Sequence, residues 1–202
     1  MKKTFRGFIA IEVPNDNIRR IAPVKKELGE IDGEIKPVED ENLHITLKFL
    51  GEANYDDLEK IETALHKVAE KIKRFKVRLN GIGVFPNESY IRVVWIGCDG
   101  IETEGSDSKS KGNEDAKDTL KALADNINME MGEVGFPKEE NTPHVTIARI
   151  RRKIDLSNFL TKYKNAEFGE FEVSRIFLKQ SILGRDVGKG PKYETLVEIS
   201  LE

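Results

Sequence analysis

Two of the three histidines in this 202-residue chain stand two positions before a threonine. The two segments are His44-Ile45-Thr46-Leu47 and His144-Val145-Thr146-Ile147. In both, polar and apolar residues alternate, which predicts a β-strand with one polar face and one buried apolar face. Each strand would then present an imidazole and a hydroxyl side by side. If the two strands face one another, four polar side chains line one cleft.

This set of side chains suits the cleavage or formation of a cyclic phosphodiester. One oxygen leaves phosphorus as another arrives on the opposite side, so one group must accept a proton and another must donate one. Histidine can do either near neutral pH, because the ordinary pKa of its side chain is about 6.5. The threonine hydroxyls can donate hydrogen bonds to the non-bridging oxygens, where charge accumulates. We therefore predict that His44 and His144 are catalytic and that Thr46 and Thr146 bind substrate.

The same residues fit a metal centre poorly. Zinc and two-metal sites usually include a third ligand at helical or short-loop spacing from the first two. We predict that the protein uses no metal and no other cofactor.

The elements around the two motifs follow from hydrophobic periodicity and turn residues. Strands are predicted over residues 5–13, 42–50, 75–79, 90–98, 142–148, 168–178 and 193–201, with turns at 81–83 and 86–87. Helices are predicted from the turn at 14–16 to about 28, over 55–73 and 116–131, and from 155 or 157 to about 164. Residues 101–115 are polar and have nothing to bury, which predicts a flexible surface loop. The two motifs lie 100 residues apart in similar surroundings, which indicates a loose internal repeat.

Composition limits the classes of function. The net charge is −3, so the protein does not coat long nucleic acid by bulk electrostatics and must bind any polyanion locally. The single cysteine, Cys98, lies in an apolar run and is interpreted as a packing residue. No run approaches the roughly 18 apolar residues of a membrane span. We expect a cytoplasmic protein with no membrane segment.

The residues around the two motifs also carry a family resemblance. Residues 42–51, Asn-Leu-His-Ile-Thr-Leu-Lys-Phe-Leu-Gly, and 143–149, Pro-His-Val-Thr-Ile-Ala-Arg, resemble the paired signatures of the RNA 2′,3′-cyclic phosphodiesterase family. This family, also called 2′-5′ RNA ligase, is a branch of the 2H phosphoesterase superfamily. Segments 6–10, 83–86, 92–95 and 190–194 are similar as well, so the resemblance spans nearly the whole chain.

The resemblance implies one α+β domain over residues 1–202, bilobal, with two antiparallel sheets facing a central groove, helices on the outside and a pseudo-two-fold internal repeat. It implies hydrolysis of RNA ends that carry a 2′,3′-cyclic phosphate to 2′-phosphate ends, with weak reversible 2′-5′ ligation. In the family's usual assignment, His44 would protonate the leaving 3′-oxygen and His144 would activate water. We expect a monomer. The sequence by itself does not fix which histidine is the acid.

Other polar residues near the motifs are harder to assign. Arg149 belongs to the family signature and could bind the phosphate, but strict alternation places it on the face opposite His144 unless the strand ends or bulges near Ala148. Alternation places Lys48 on the face of His44, where we interpret it as a solvated lysine at a strand end. The third histidine, His66, lies off the apolar stripe of its helix and is interpreted as a surface residue.

Two other classes of function remain open at this stage. The groove could hold RNA ends or a small cyclic-phosphate nucleotide without turning RNA over, although a matched acid and base are not needed for binding alone. A metal-dependent hydrolase would instead lose activity with a chelator. The basic residues 149 and 151–153 could contact an RNA backbone or form a solvated turn.

Overall fold

The computed structural model describes residues 3–101, 119–140, 142–182 and 190–202 and is built on one antiparallel sheet. The strands are β1 (Thr4–Glu12), β2 (Ile35–Pro37), β3 (His44–Asn54), β4 (Phe75–Asn87), β5 (Tyr90–Ile101), β6 (His144–Ile150), β7 (Glu167–Val173), β8 (Arg175–Ile182) and β9 (Lys192–Ser200). The α-helices are α1 (Asn15–Glu30), α2 (Leu58–Ala69), α3 (Thr119–Val134) and α4 (Ser157–Tyr163). The predicted loop at 101–115 lies outside the described residues, except for its first one.

Two half-sheets of four strands meet in the middle of this sheet. The order is β7-β4-β5-β6-β3-β1-β8-β9, and β2 adds to the second side of β6. The two histidine-bearing strands, β3 and β6, are central neighbours and meet at one residue pair, Ile45 with Val145. Reading outwards from this pair and leaving β2 aside, each half has four strands, which agrees with a pseudo-two-fold repeat. The expected α+β architecture is confirmed, and its two halves join edge to edge.

The helices cover the face of the sheet that carries the apolar side chains. Helix α2 has an apolar stripe that includes Ile61, Leu65 and Val68, all fully buried. Helix α3 packs against α2 and against strands β3 and β5. Helix α1 contacts β7 and helix α4 contacts β4, at one end of the sheet. One hydrophobic core therefore lies between helices and sheet, and the opposite face is left for the groove.

Three predicted turns or strands are placed wrongly. The turn predicted at 86–87 lies at 88–89, because β4 continues to Asn87. The segment at 81–83 is not a turn, because β4 continues through it with a register shift between Asn80 and Ile82 and a left-handed φ of 61° at Gly81. The predicted strand at 168–178 is two strands, β7 and β8, separated at Ser174. Glycines occur in bulged strands as well as in turns, and apolar residues continue on both sides of Ser174, so neither signal shows where the backbone bends.

None of the described helices is both long enough and apolar enough to cross a membrane. Cys98 is buried, and its thiol donates to the backbone oxygen of Ile96, in keeping with its interpretation as a packing residue. His66 is exposed on α2, as predicted.

Candidate active site

Both His-x-Thr motifs open into one groove on the face of the sheet away from the helices. Its cavity of about 750 Å³ is lined by His44, Thr46, His144 and Thr146, the four side chains that the sequence predicted to meet. Arg149 lines the same cavity. The tertiary structure thus brings all five predicted site residues together.

The pairing of β3 with β6 explains how the four side chains converge. Ile45 and Val145 are directly opposite in an antiparallel pair and both point into the core. The residues on either side of them therefore point into the groove, with His44 on the row of Thr146 and Thr46 on the row of His144. The two histidines are diagonal neighbours, which in a regular sheet are about 7–8 Å apart. A phosphate group fits between two imidazoles at this spacing.

Each imidazole is fixed by the backbone two residues before it. His44 Nδ1 is 2.7 Å from the carbonyl oxygen of Asn42, and His144 Nδ1 is 2.7 Å from that of Thr142. A carbonyl oxygen only accepts hydrogen bonds, so both Nδ1 atoms carry the proton and donate it. This leaves Nε2 of each ring as the atom that can exchange a proton with a substrate.

Aromatic rings pack against both histidines. The ring of His44 lies 5.0 Å from Phe8 and 5.2 Å from Tyr193, measured between centroids. The ring of His144 lies 5.1 Å from Phe85 and 6.1 Å from Trp95. These contacts restrict the orientation of the imidazoles and remove water from one side of each ring.

The surroundings of the two histidines favour their neutral forms. Burial lowers the pKa of His44 to about 4, and the positive charges of Lys179, His144 and Arg149 act in the same direction. Burial also lowers the pKa of His144, with a further contribution from Arg149, although the hydrogen bond to Thr142 opposes it. Without substrate, both imidazoles are therefore mostly neutral at pH 7.

A β-bulge places Arg149 on the groove face. On β5, Trp95 pairs with Thr146 and the next residue, Val94, pairs with Ala148, so Ile147 is the extra residue. The bulge reverses the alternation beyond it, and both Ile147 and Ala148 are buried. Strict alternation would have placed Arg149 on the face opposite His144. The sequence analysis allowed an exception if the strand bulges near Ala148, and this bulge places Arg149 on the groove face.

Strand β3 has the matching bulge, and here strict alternation was wrong. Ile9 pairs with Lys48 and Ala10 pairs with Thr46, so Leu47 is the extra residue. Lys48 is therefore buried, only 2% exposed, instead of solvated. Its Nζ donates to Asn128 Oδ1 at 2.7 Å and to the carbonyl oxygen of Pro137 at 2.6 Å, which ties β3 to α3 and to the segment after it.

The same bulge turns Phe49 into the groove, where it is 56% exposed. Phe49 stands five residues after His44, as Arg149 stands five residues after His144. Strict alternation from Ile45 would place Phe49 on the buried face, and no motif pointed to Lys36, which also lines the groove. The internal repeat could have identified Phe49 as a groove residue, because aligning the two motifs matches Phe49 with Arg149.

The described residues include no group of three or more histidine, cysteine, aspartate or glutamate side chains that could hold a metal ion.

Comparison of the sequence with known protein families identifies the family of this chain. A family model described as LigT like Phosphoesterase matches residues 11–95 and 112–187, most of the chain and both motifs. The chain belongs to this family. The phosphoesterase is therefore a hydrolase, as the sequence predicted.

Two archaeal relatives match the phosphoesterase along almost its whole length. The RNA 2′,3′-cyclic phosphodiesterase of Methanocaldococcus jannaschii is 38% identical over 96% of this chain and 99% of the relative. The protein of the same name from Archaeoglobus fulgidus is 37% identical over 95% of this chain and 97% of the relative.

Solved structures agree with the fold of the phosphoesterase. The crystal structure of TT0787 of Thermus thermophilus superposes with a TM-score of 0.75 at 27% identity, covering 97% of both chains. Escherichia coli LigT, complexed with 3′-AMP, superposes with a TM-score of 0.69 over 98% of this chain and 99% of its own. Its identity is 22%, so this likeness concerns the fold alone.

Proposed function

We propose that the protein is an RNA 2′,3′-cyclic phosphodiesterase that hydrolyses cyclic phosphate ends to 2′-phosphate ends without a metal ion. The observation that carries the proposal is the pair of imidazoles in one cavity, each with Nδ1 bonded to the backbone and Nε2 free to exchange a proton. The names of the archaeal relatives support RNA as the substrate class.

The reaction needs one proton accepted and one donated at phosphorus. Nε2 of His144 takes a proton from water as the water oxygen bonds to phosphorus. The bond from phosphorus to the 3′-oxygen breaks, and Nε2 of protonated His44 gives that oxygen its proton. The products are a 2′-phosphate and a 3′-hydroxyl. Exchange of protons with solvent then restores both rings.

The lowered pKa of His44 fits the role of acid once substrate is bound. A low pKa makes the protonated ring a strong proton donor, but it also leaves the ring mostly neutral in the free enzyme. The negative charge of the bound phosphate favours protonation of the imidazole beside it. Substrate binding would therefore favour protonation of His44, and the reaction then uses this proton.

Threonine and arginine side chains complete the proposed phosphate site. The hydroxyls of Thr46 and Thr146 stand on the same rows as the histidines and can donate to the non-bridging oxygens. Arg149 adds a positive charge on the groove face, beyond Thr146. These contacts strengthen as negative charge builds up in the transition state.

The exposed ring of Phe49 supports a nucleic-acid ligand over a bare phosphate ester. An exposed aromatic face beside a phosphate site can stack on a base of any identity. Phe8 lies next to Phe49, with 6.4 Å between ring centroids, so the surface for stacking is continuous with the packing around His44.

The test uses a dinucleotide that ends in a 2′,3′-cyclic phosphate, with EDTA present throughout. We expect turnover to a 2′-phosphate, and we expect His44→Ala and His144→Ala each to lower kcat by roughly 10²- to 10⁴-fold. His66→Ala is the matched control, because this third histidine is exposed on α2, and it should keep full activity. Product analysis distinguishes a 2′-phosphate from a 3′-phosphate.

Other outcomes would identify other functions. Tight, salt-sensitive RNA binding with an uncleaved cyclic phosphate would indicate a binding module. Turnover of a small cyclic nucleotide phosphate but not of the dinucleotide would indicate that the substrate is a small nucleotide and not an RNA end. Loss of activity in EDTA would contradict the metal-independent mechanism. Weak 2′-5′ ligation is the expected reverse reaction, and action as a monomer in the cytoplasm stays a prediction.

A further inference from the structure

A carboxylate lies on the strand next to His44. Glu12 of β1 is the antiparallel partner of His44 on β3, so the two side chains point to the same face of the sheet. The Cβ atoms of such partners are about 4.5–5.5 Å apart, which is close enough for a carboxylate and an imidazole to pair. A pair of this kind would raise the pKa of the histidine, because the negative charge favours the protonated ring.

Glu12 is paired with a lysine instead. Nζ of Lys179 on β8 forms a salt bridge with Glu12 Oε1. The imidazole of His44 has other contacts, since its Nδ1 is bonded to a backbone carbonyl oxygen and its ring packs against Phe8 and Tyr193. The register of β1 and β3 thus allows a contact between Glu12 and His44, and the lysine takes the place of the histidine in it.

Lys179 is buried although it carries a charge. Only 8% of the residue is exposed, and its Nζ lies 5.6 Å from the centre of the Phe177 ring. Burying a cation is costly unless the charge is paired, and both Glu12 and the aromatic face offset that cost. The ammonium group is therefore held in one place and does not move freely in solvent.

The lysine passes close to His44 on its way to the carboxylate. Lys179 is the antiparallel partner of Phe8, whose ring packs on His44. On the same face of β1, Ala10 lies between Phe8 and Glu12. The side chain of Lys179 begins beside Phe8 and ends at Glu12, so it crosses the small side chain of Ala10. Its positive charge lowers the pKa of His44 from there.

Other charged groups surround His44 and the ion pair. His144 and Arg149 on β6 act on His44 in the same direction as Lys179. Arg175 on β8 is close enough to feel the charge of Glu12, but it donates to Glu198 at 2.7 Å. Further titratable groups line the cavity from five other segments, and these are Arg6, Lys36, Glu39, Glu139 and Tyr193. Lys179 is the cation in contact with Glu12.

We propose that Lys179 is a positioning residue that holds the Glu12 carboxylate away from His44 and so prevents a carboxylate–imidazole pair. This inference rests on the proposed function, because it concerns the acid of that reaction. Without the lysine, Glu12 would retain the proton on His44, and the ring would give it to the leaving oxygen less readily. With the lysine, the protonated ring stays a strong donor.

NMR titration of the histidine side chains tests this in the free protein, with His44→Ala to identify the signal. Lys179→Met keeps the length of the side chain, and the pKa of His44 should rise by roughly one pH unit because Glu12 can then pair with it. Lys179→Arg should restore the wild-type value. Lys162→Met removes the lysine of a surface ion pair with Glu27 and is the control, which should leave the pKa of His44 unchanged.

A second substitution separates the lysine's own charge from its hold on the carboxylate. In the double variant Lys179→Met/Glu12→Gln both charges are absent, so the pKa of His44 should return close to the wild-type value. If the pKa stays as high as in Lys179→Met, the lysine acts by its charge alone and the proposal is wrong. An unchanged pKa in Lys179→Met also overturns it. The Glu12 side chain is 51% exposed, so losing its partner does not strand a buried charge, and circular dichroism checks that the variants fold.

Kinetics on the dinucleotide connect the titration to the reaction. The maximum of kcat/KM lies midway between two apparent pKa values, so in Lys179→Met it should move to higher pH by about half a pH unit. If the wild type does not cleave the cyclic phosphate, the proposed function fails, while the titration still tests the pair of Lys179 and Glu12.

Discussion

His44 and His144 are chemically the same residue and differ only in what surrounds them. Both donate Nδ1–H to a carbonyl oxygen two residues earlier, a local contact that each strand makes by itself. Burial lowers the pKa of His44 to about 4, and Lys179 adds a positive charge that acts in the same direction. The motif could be predicted to supply the imidazoles, but a difference in acidity between them depends on residues distant in sequence.

The threonines offer a test of transition-state stabilisation at the level of one hydroxyl. Thr46→Val and Thr146→Val keep the shape and remove the donor, so kcat should fall on the order of 10²-fold, with KM changed much less. Thr46→Ser and Thr146→Ser keep the hydroxyl and should retain most of the activity. Steady-state kinetics on the dinucleotide substrate measure both series. Equal losses in the valine and serine variants would assign the threonines a packing role instead.

At the scale of single elements, the bulges in β3 and β6 affect the site most. Each bulge lies at the third residue after the histidine, at Leu47 and at Ile147. Each turns the fifth residue into the groove, where one half of the molecule has Phe49 and the other has Arg149. Alternation predicted the residues up to the threonines correctly and failed beyond them. A bulge arises from how two strands align, so the pattern within one strand does not show it.

Gly83 on strand β4 lies against the indole of Trp95, so a substitution there tests whether Trp95 positions His144. A Cβ atom added at Gly83 would lie 2.2 Å from Trp95 Cζ2, so Gly83→Ala must displace the indole that packs against His144. We expect a lower kcat, a loss of about 1–3 kcal/mol in the free energy of unfolding and a changed fluorescence emission from the single tryptophan.

Gly132→Ala on α3 is the matched control for this substitution. Its added Cβ would meet only the flexible end of Lys138, and alanine favours a helix over glycine. Activity and tryptophan emission should therefore match the wild type. Full activity in a folded Gly83→Ala variant would show that the indole does not position His144.

At the scale of the whole molecule, the sheet concentrates positive charge in the groove of a protein whose net charge is −3. Arg6, Lys36 and Arg149 all line the cavity, although they come from three different strands. Composition argued against a general nucleic-acid coat, but it could not place these three charges together. Burial opposes protonation of both histidines, and of these three cations Arg149 acts in the same direction.

This environment predicts an acidic pH optimum. Activity requires one neutral and one protonated imidazole, and burial lowers the pKa of both histidines below the ordinary 6.5. The bell-shaped profile of kcat/KM should therefore have its maximum below pH 6.5, and the profile of kcat should lie at higher pH because bound phosphate favours protonation. Rates measured at constant ionic strength check both profiles. A kcat/KM maximum above pH 7 would contradict this description of the site.

The same pKa shift sets the pH range in which the fold must be monitored during that experiment. Between about pH 6.5 and 4, His44 is protonated in the unfolded chain but neutral in the folded protein. The unfolded state then binds more protons, so the free energy of unfolding decreases as pH falls through this window. Circular dichroism at each pH separates loss of structure from loss of the active protonation state.

The sequence by itself determined which polar side chains share a face of a strand and on which strands the two motifs lie. Those properties are local, because the alternation of the two His-x-Thr segments fixes which residues share a face of a strand. Only the tertiary structure decided that the two strands meet at the Ile45–Val145 pair, that bulges bring Phe49 and Arg149 into the groove, and that Lys36 stands opposite Arg149. Those properties depend on the register between strands that are distant in sequence, which periodicity within one segment does not encode.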